Sequence, residues 1–243
     1  MSKVMLIALA AAWGVAVGAL LPRAVHRLAV PSGEGWRERC PGGHPIRGWA
    51  GPARCALCAA DVSSYGPRSA WPATVTALLC ASLAAVTGPR PELGVWLLVT
   101  PAGVLLAVVD VRVRRLPDPV TLPLAAGTLA LLGVAALVPG HAGDWGTALL
   151  GALALGGFYL LLFLINPAGM GFGDVKLALG AGAALGWYGW GAVLLGTFAA
   201  FVCGAVYGGA LVVVRKAGRK TAIPFGPFLL AGACAGLLLG AAG

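Results

Sequence analysis

Acidic side chains are scarce in this sequence, which has 243 residues but only 8 Asp and Glu. Charged residues make up 10% of the chain, whereas hydrophobic residues make up 59%. This balance excludes an ordinary water-soluble globule, whose surface needs many more charges. The formal net charge of +9 is a feature of many nucleic-acid-binding proteins. The base-stacking motifs that accompany it there are missing, so we expect no nucleic-acid partner.

Long apolar runs dominate the chain instead. A cleaved signal peptide would account for the first of them only, and the two-residue alternation of membrane strands is missing. Because unpaired backbone groups in lipid are very unfavourable, the runs should be helices. The sequence therefore predicts an all-α, polytopic membrane helix bundle with about eight transmembrane helices, at residues 4–21, 71–86, 93–109, 120–138, 145–165, 177–190, 191–214 and 222–242.

Basic residues orient this bundle, because loops rich in Lys and Arg stay in the cytoplasm. If eight helices alternate in direction, all 17 basic residues except Lys3 and Arg90 fall on one side. The pattern predicts an inner (plasma) membrane protein with both termini outside. The cations on the predicted cytoplasmic side include a group after the seventh run, Arg215, Lys216, Arg219 and Lys220.

Two of the acidic residues, Asp110 and Asp174, fall at the ends of apolar runs on the same predicted side. Two carboxyl groups a few ångström apart do not both ionise readily, so one keeps a proton while the other acts as a base. This arrangement can activate water and protonate an amide leaving group. The pair therefore predicts peptide-bond hydrolysis at the cytoplasmic side.

Each Asp alone has simpler interpretations: a helix cap, a charge partner for Arg112, Arg114 or Lys176, or a solvated helix end. The glycines on both sides of Phe172 favour a site, because they let the backbone approach a substrate. A second possibility is a small-solute or proton-coupled transporter, but transporters place coupling sites near the midplane, usually with internal repeats. A noncatalytic subunit of a secretion machine would leave the Asp pair unexplained.

Three motifs follow one another in the second half of the chain. They are Asp110 with Leu116-Pro117-Asp118, then the segment 171–176 (Gly-Phe-Gly-Asp-Val-Lys), then the segment 223–228 (Ile-Pro-Phe-Gly-Pro-Phe). In this order and spacing the chain resembles the bacterial prepilin peptidases, membrane aspartic proteases of the Gly-x-Gly-Asp type. The resemblance implies removal of the leader peptide from type IV prepilins or pseudopilins, with Asp110 and Asp174 as the catalytic pair.

The same resemblance implies the partners and cofactors. The partners are a prepilin or pseudopilin substrate and membrane lipid, and proteolysis requires no cofactor. A second activity of the family, N-methylation of the new N-terminus, would require S-adenosylmethionine, although the chain has no glycine-rich nucleotide fingerprint on a strand-turn-helix frame.

The domain division follows, with a first transmembrane helix at 1–21, a cytoplasmic loop subdomain at 22–70 and a membrane-embedded protease domain at 71–243. We expect Asp118 to cap the fourth helix. We expect a group of basic residues near the Asp pair to face lipid headgroups, since they would otherwise repel a basic leader: Arg112, Arg114, Arg115 and Lys176.

The loop subdomain is too short for a full hydrophobic core and needs a cross-link. Cys55 and Cys58 form a Cys-x-x-Cys pair of the kind that binds zinc. Many relatives carry two such pairs here, but the second member of the first pair is missing and His44 is the nearest replacement. We therefore expect a structural zinc held by Cys40, His44, Cys55 and Cys58. The alternative is that Cys55 and Cys58 are free thiols or a redox pair, and a disulfide is disfavoured in the cytoplasm.

Overall fold

The computed structural model describes residues 2–31, 33–58, 64–167, 169–214 and 223–243. Within these ranges the chain is all-helical, with two isolated β-bridges in the loop subdomain and no longer strand. The all-α prediction is confirmed. The helices are α1 (Lys3–Gly18), α2 (Leu21–Leu28), α3 (Ala70–Thr87), α4 (Glu92–Val113), α5 (Asp118–Ala136), α6 (Trp145–Ile165), α7 (Phe172–Trp187), α8 (Trp190–Val213) and α9 (Gly226–Ala242).

Each of the eight predicted runs contains a helix, but fewer helices reach the length that a bilayer requires, about 20 residues. In the described ranges, five helices are long and apolar enough to cross a membrane: α3, α4, α5, α6 and α8. The pair α1 and α2, bent by 43°, adds a sixth if it is counted as one span. The structure thus supports a multi-pass membrane protein without confirming eight spans. The four cations at 215, 216, 219 and 220, used above for orientation, lie outside the described residues.

Helix α2 was not predicted, because its charged residues interrupt the hydropathy pattern and the residues 22–28 read as part of the polar loop. Its apolar face, formed by Leu21, Val25 and Leu28, is buried against α4. Arg23 and Arg27 leave this face and donate hydrogen bonds to carbonyl groups of the loop. An amphipathic helix therefore connects the membrane bundle to the loop subdomain.

Glycine allows the helices to pack as three close antiparallel pairs, α1 with α3, α6 with α7 and α8 with α9. A Cβ atom at Gly14 would lie 2.6 Å from Cα of Ala77, and one at Gly186 would lie 2.5 Å from the carbonyl oxygen of Thr147. A Cβ at Gly196 would lie 3.0 Å from the backbone of α9. Such close approach is typical of membrane helices, where van der Waals contact replaces the hydrophobic effect between helices. Helix α7, surrounded by α5, α6, α8 and α9, is enclosed by these pairs.

The alternation of the helices brings the end of α4 and the starts of α5, α7 and α9 to one end of the bundle, which we call the Asp end. Two contacts fix it: Lys176 Nζ lies 2.7 Å from Asp118 Oδ2, and the Gly226 backbone N–H donates to Asp110. The loop subdomain joins the bundle at this end, since Arg115 Nη1 donates to the carbonyl oxygen of Pro31 at 2.8 Å.

Three expectations for polar residues at this end were wrong. Asp118 is the first residue of α5, not its cap, which is Pro117. Its carboxylate pairs with Lys176, so Lys176 does not face lipid headgroups. Arg115 binds the loop and stacks on Trp36, with its guanidinium carbon 5.3 Å from the ring centre. Lys176 and Arg115 therefore bind other parts of the protein.

We predict that Gly182→Leu lowers the stability of the bundle in detergent, because a Cβ there would collide with the carbonyl oxygen of Gly151 on α6. Overpacking of this kind costs about 1–3 kcal/mol, which thermal unfolding measures as a lower melting temperature. Gly157→Leu on α6 is the matched control, since a Cβ at Gly157 meets no atom within 4 Å. Equal melting temperatures for the two variants would contradict the packing described here.

Candidate active site and candidate metal site

Asp110 lies in the last turn of α4 and faces the inside of the bundle, with 4% of its surface exposed. Its Oδ2 atom accepts a hydrogen bond of 3.0 Å from the backbone N–H of Gly226, the first residue of α9. The first four N–H groups of a helix lack partners within the helix, so the start of α9 has a free donor to offer. Sequence reasoning noted the segment 223–228 only as a resemblance, whereas the structure gives its glycine a physical role.

Asp174 lies in the first turn of α7, with 7% of its surface exposed. Its Oδ2 atom accepts a hydrogen bond of 3.2 Å from the backbone N–H of Gly171, which precedes the helix. The Asp174 N–H in turn donates to the carbonyl oxygen of Gly171 at 3.0 Å. This reciprocal pair resembles a capping box, with the Gly171 carbonyl oxygen in place of a side-chain oxygen, and it fixes the carboxyl group at the start of α7.

The two carboxyl groups are close enough to interact electrostatically, and Leu116 lies against the glycines near each of them. A Cβ at Gly173, next to Asp174, would lie 2.9 Å from Leu116 Cβ. A Cβ at Gly226 would lie 3.5 Å from Leu116 Cδ1 and 2.8 Å from Asp110 Oδ2. The fold therefore brings together the two acidic residues that the sequence suggested, and it needs glycine on both sides to do so.

Neither carboxyl group has a cationic partner in the part of the chain that the structure describes. Lys176, which is two residues from Asp174, binds Asp118 instead. A buried carboxyl group without a cation is costly as an anion, and a second one beside it is costlier still. This geometry suits a pair that shares one proton.

An apolar cavity of about 340 Å³ lies next to the pair, between α3, α4, α5, α7 and α9. Its lining includes Leu177, one turn from Asp174, and Pro227, the residue after Gly226, but neither carboxyl group itself. From there it follows the helices toward the opposite end of the bundle. An apolar segment beside the reacting bond could place side chains in this cavity.

The four residues expected to bind metal form one cluster in the loop subdomain. Their ligand atoms all lie within 4.8 Å of one another. His44 Nδ1 lies 3.6 Å from Cys40 Sγ, 3.6 Å from Cys55 Sγ and 3.4 Å from Cys58 Sγ, and the Sγ atoms of Cys40 and Cys58 are 3.6 Å apart. Tetrahedral zinc with Zn–S bonds of about 2.3 Å separates its sulfur ligands by about 3.8 Å. Three thiols and one imidazole at these distances therefore fit zinc.

The thiols influence one another's ionisation. Burial opposes the thiolate of Cys40, but hydrogen bonds with the His44 backbone and with neighbouring side chains outweigh burial and lower the pKa of Cys40 to about 6. Burial, together with the thiols of Cys40 and Cys55, raises the pKa of Cys58 to about 11. A divalent cation is the usual means by which proteins hold several thiolates together.

Comparison with known proteins gives the chain a family. The family model described as type IV leader peptidase family matches residues 97–209, a range that contains both Asp110 and Asp174. No solved structure matches the chain significantly.

Three curated relatives carry the name prepilin leader peptidase/N-methyltransferase. The one from Stutzerimonas stutzeri is 29% identical over 93% of this chain and 88% of its own length. The one from Pseudomonas aeruginosa is 30% identical over 90% of this chain and 75% of its own length. The one from Aeromonas salmonicida is 33% identical, but the match covers 77% of this chain and 62% of the relative. With its paired carboxyl groups inside the matched range, the chain belongs to the type IV leader peptidase family.

Proposed function

We propose that this protein is a membrane aspartic endopeptidase that removes the leader peptide from type IV prepilins or pseudopilins. The observation that carries the proposal is the pair of buried carboxyl groups, Asp110 and Asp174, at one end of the bundle. Each accepts a backbone N–H, and neither has a cationic partner among the described residues. The relatives' name, prepilin leader peptidase/N-methyltransferase, supports the same reaction and the same class of substrate.

In the proposed reaction, one carboxyl group is ionised and the other is protonated. The ionised one accepts a proton from water as the water oxygen bonds to the carbonyl carbon of the scissile amide. The protonated one supplies a proton to the substrate, and the C–N bond then breaks to release an acid and an amine. Burial favours this division of roles, because two adjacent anions are disfavoured where water is scarce.

We propose that the Asp end faces the cytoplasm, in an inner-membrane protein with both termini outside. The positive-inside rule supports this orientation, since Arg23, Arg27 and Arg115 belong to the same end as the Asp pair. On this proposal, 22–70 is a cytoplasmic subdomain and 71–243 is the protease domain. The scissile bond would then lie where the hydrophobic helix of the substrate emerges from the membrane, and the apolar cavity beside the pair is suited to the first residues of that helix.

The relatives' name also includes an N-methyltransferase. We propose N-methylation of the newly formed N-terminus as a second activity, with S-adenosylmethionine as the methyl donor. The support is the name that these relatives share, and no residue of this chain is assigned to that step.

We propose that the cluster of Cys40, His44, Cys55 and Cys58 holds a structural zinc ion. The distances among its ligand atoms support zinc, and so does the size of a loop that is too small to order itself. The metal would close the loop and take no part in proteolysis.

The first prediction of this proposal concerns the catalytic pair. Asp110→Asn and Asp174→Asn should each abolish leader cleavage, because an amide keeps the shape of the carboxyl group but cannot exchange the proton. Co-expression with a prepilin, followed by the mobility shift of the shortened product, measures cleavage. Immunoblotting of the membrane fraction should show normal amounts of both variants.

Asp118→Asn is the matched control, since Asp118 lies at the same end but outside the pair. It loses an exposed ion pair with Lys176, which is worth about 1 kcal/mol or less, so cleavage should continue. Normal processing by Asp110→Asn or Asp174→Asn would remove that residue from the catalytic assignment.

The second prediction concerns the metal. Protein purified under reducing conditions should contain about one zinc ion per chain, and the double variant Cys55→Ser/Cys58→Ser should contain none. We expect that variant to unfold at a lower temperature but to keep part of its activity, since the loop lies outside the Asp pair. Cys203→Ser, at an exposed position of α8, should keep its zinc. Metal analysis that finds no zinc in the reduced wild-type protein would refute the site.

The third prediction concerns orientation. Asp118→Cys lies at the Asp end, and His141→Cys lies in the connection between α5 and α6 at the opposite end. A membrane-impermeant maleimide should label Asp118→Cys only in inverted vesicles and His141→Cys only in intact spheroplasts. Wild-type protein gives the background from natural cysteines. The reverse pattern would overturn the proposed orientation.

A further inference from the structure

Tyr159 on α6 is one of the most deeply buried side chains of the protein, with 0% of its surface exposed. Its hydroxyl oxygen is buried as well and has no hydrogen-bond partner among the residues that the structure describes. A buried hydroxyl without a partner costs free energy, because it has lost its bonds to water and gained none. Such groups are rare in folded proteins and call for an explanation.

Packing explains the ring of Tyr159 but not its hydroxyl group. The ring lies within an aromatic cluster, with ring centres 5.8 Å from Phe158, 5.9 Å from Phe201 and 6.0 Å from Phe225. Phenylalanine would make the same contacts and would leave no polar atom unsatisfied. The remaining question is which partner the hydroxyl group receives when the protein works.

The position of Tyr159 points to the Asp pair. Helices α6 and α7 are antiparallel and in close contact, and a Cβ at Gly156 would lie 3.0 Å from Leu179 Cγ. Tyr159 is nearly one turn beyond Gly156, so it lies level with the start of α7, where Asp174 is found. Asp174 is within electrostatic range of Tyr159. Phe225, in ring contact with Tyr159, precedes the glycine that binds Asp110.

The two backbone N–H groups that bind the carboxyl groups are already occupied. The Gly171 N–H binds Asp174, and the Gly226 N–H binds Asp110. Amide hydrolysis moves an electron pair onto the carbonyl oxygen of the scissile bond, and that oxygen needs a donor as its charge grows. The Tyr159 hydroxyl group is a side-chain donor near the pair that has no partner among the described residues.

We propose that Tyr159 is a further catalytic residue, whose hydroxyl group donates a hydrogen bond to the carbonyl oxygen of the scissile amide. This inference rests on the proposed peptidase function. Tyr159 keeps its proton throughout, so the balance of the reaction is unchanged. Water adds to the carbonyl carbon, the carboxyl pair moves the protons, and the C–N bond breaks to give an acid and an amine. The only role of the hydroxyl group is to stabilise the tetrahedral intermediate.

Tyr159→Phe tests this role, because it removes the hydroxyl group and keeps the ring. We expect kcat for cleavage of a purified prepilin in detergent micelles to fall about 100-fold, the typical effect of removing one such donor. KM should stay within about twofold, since the hydrogen bond strengthens in the transition state. The melting temperature of the variant should equal or exceed that of the wild-type protein, because the variant loses a buried unsatisfied oxygen.

Tyr207→Phe is the matched control, since it makes the same change at an exposed position of α8 and should leave both kcat and melting temperature unchanged. A Tyr159→Phe variant with wild-type kcat would overturn the proposed role. A fall in kcat accompanied by a lower melting temperature would also overturn it, because it would show a structural role. The wild-type protein in the same assay tests the proposed function separately: if it leaves prepilin uncut while Asp110→Asn behaves identically, the peptidase proposal fails, and the role of Tyr159 fails with it.

Discussion

Two carboxyl groups are buried at one end of an apolar bundle, and the hydrogen bonds that satisfy them come from the backbone rather than from cations. Asp110 accepts the N–H of Gly226 at the start of α9, and Asp174 accepts the N–H of Gly171 at the start of α7. The positive end of each helix dipole adds to the stabilisation of a negative charge there. The starts of α7 and α9 must therefore meet the last turn of α4. This requirement explains the glycine at 226, because any side chain there would enter the space of Asp110 Oδ2.

Hydropathy predicted the helices well, since burial in lipid leaves the backbone few alternatives to helix. Hydropathy failed where charged and apolar residues share one helix. Helix α2 was missed because Arg23 and Arg27 lower its average hydropathy, although its apolar face is buried on α4. The count of about eight spans stays a prediction, because α1, α7 and α9 have 16, 16 and 17 residues, and hydropathy does not show how much of an apolar run is helical.

The sequence pattern selected the two acidic residues that the fold brings together, but burial alone would not have done so. Glu92, at the start of α4, has 0% of its surface exposed, and its Oε1 atom accepts a hydrogen bond of 3.2 Å from the Ala142 N–H. It lies at the opposite end of the bundle, where it ties the connection between α5 and α6 to α4. What distinguishes Asp110 and Asp174 is their proximity. The sequence suggested this proximity, because helices that alternate in direction bring both residues to the same end. No sequence pattern indicated the Asp118–Lys176 ion pair or the unpartnered hydroxyl group of Tyr159, since both depend on side-chain packing.

The loop subdomain and the Asp pair contact different faces of the same helix. The loop reaches the bundle through α2, which packs on Val104, Leu105 and Val108 of α4. With about 100° between successive residues of a helix, Val108 projects about 200° away from Asp110. The loop therefore supports α4 on a side turned away from Asp110, while the starts of α7 and α9 hold the two carboxyl groups. A metal that orders the loop would stabilise the position of α4 as a whole, and the hydrogen bonds that orient the two carboxyl groups would persist without it.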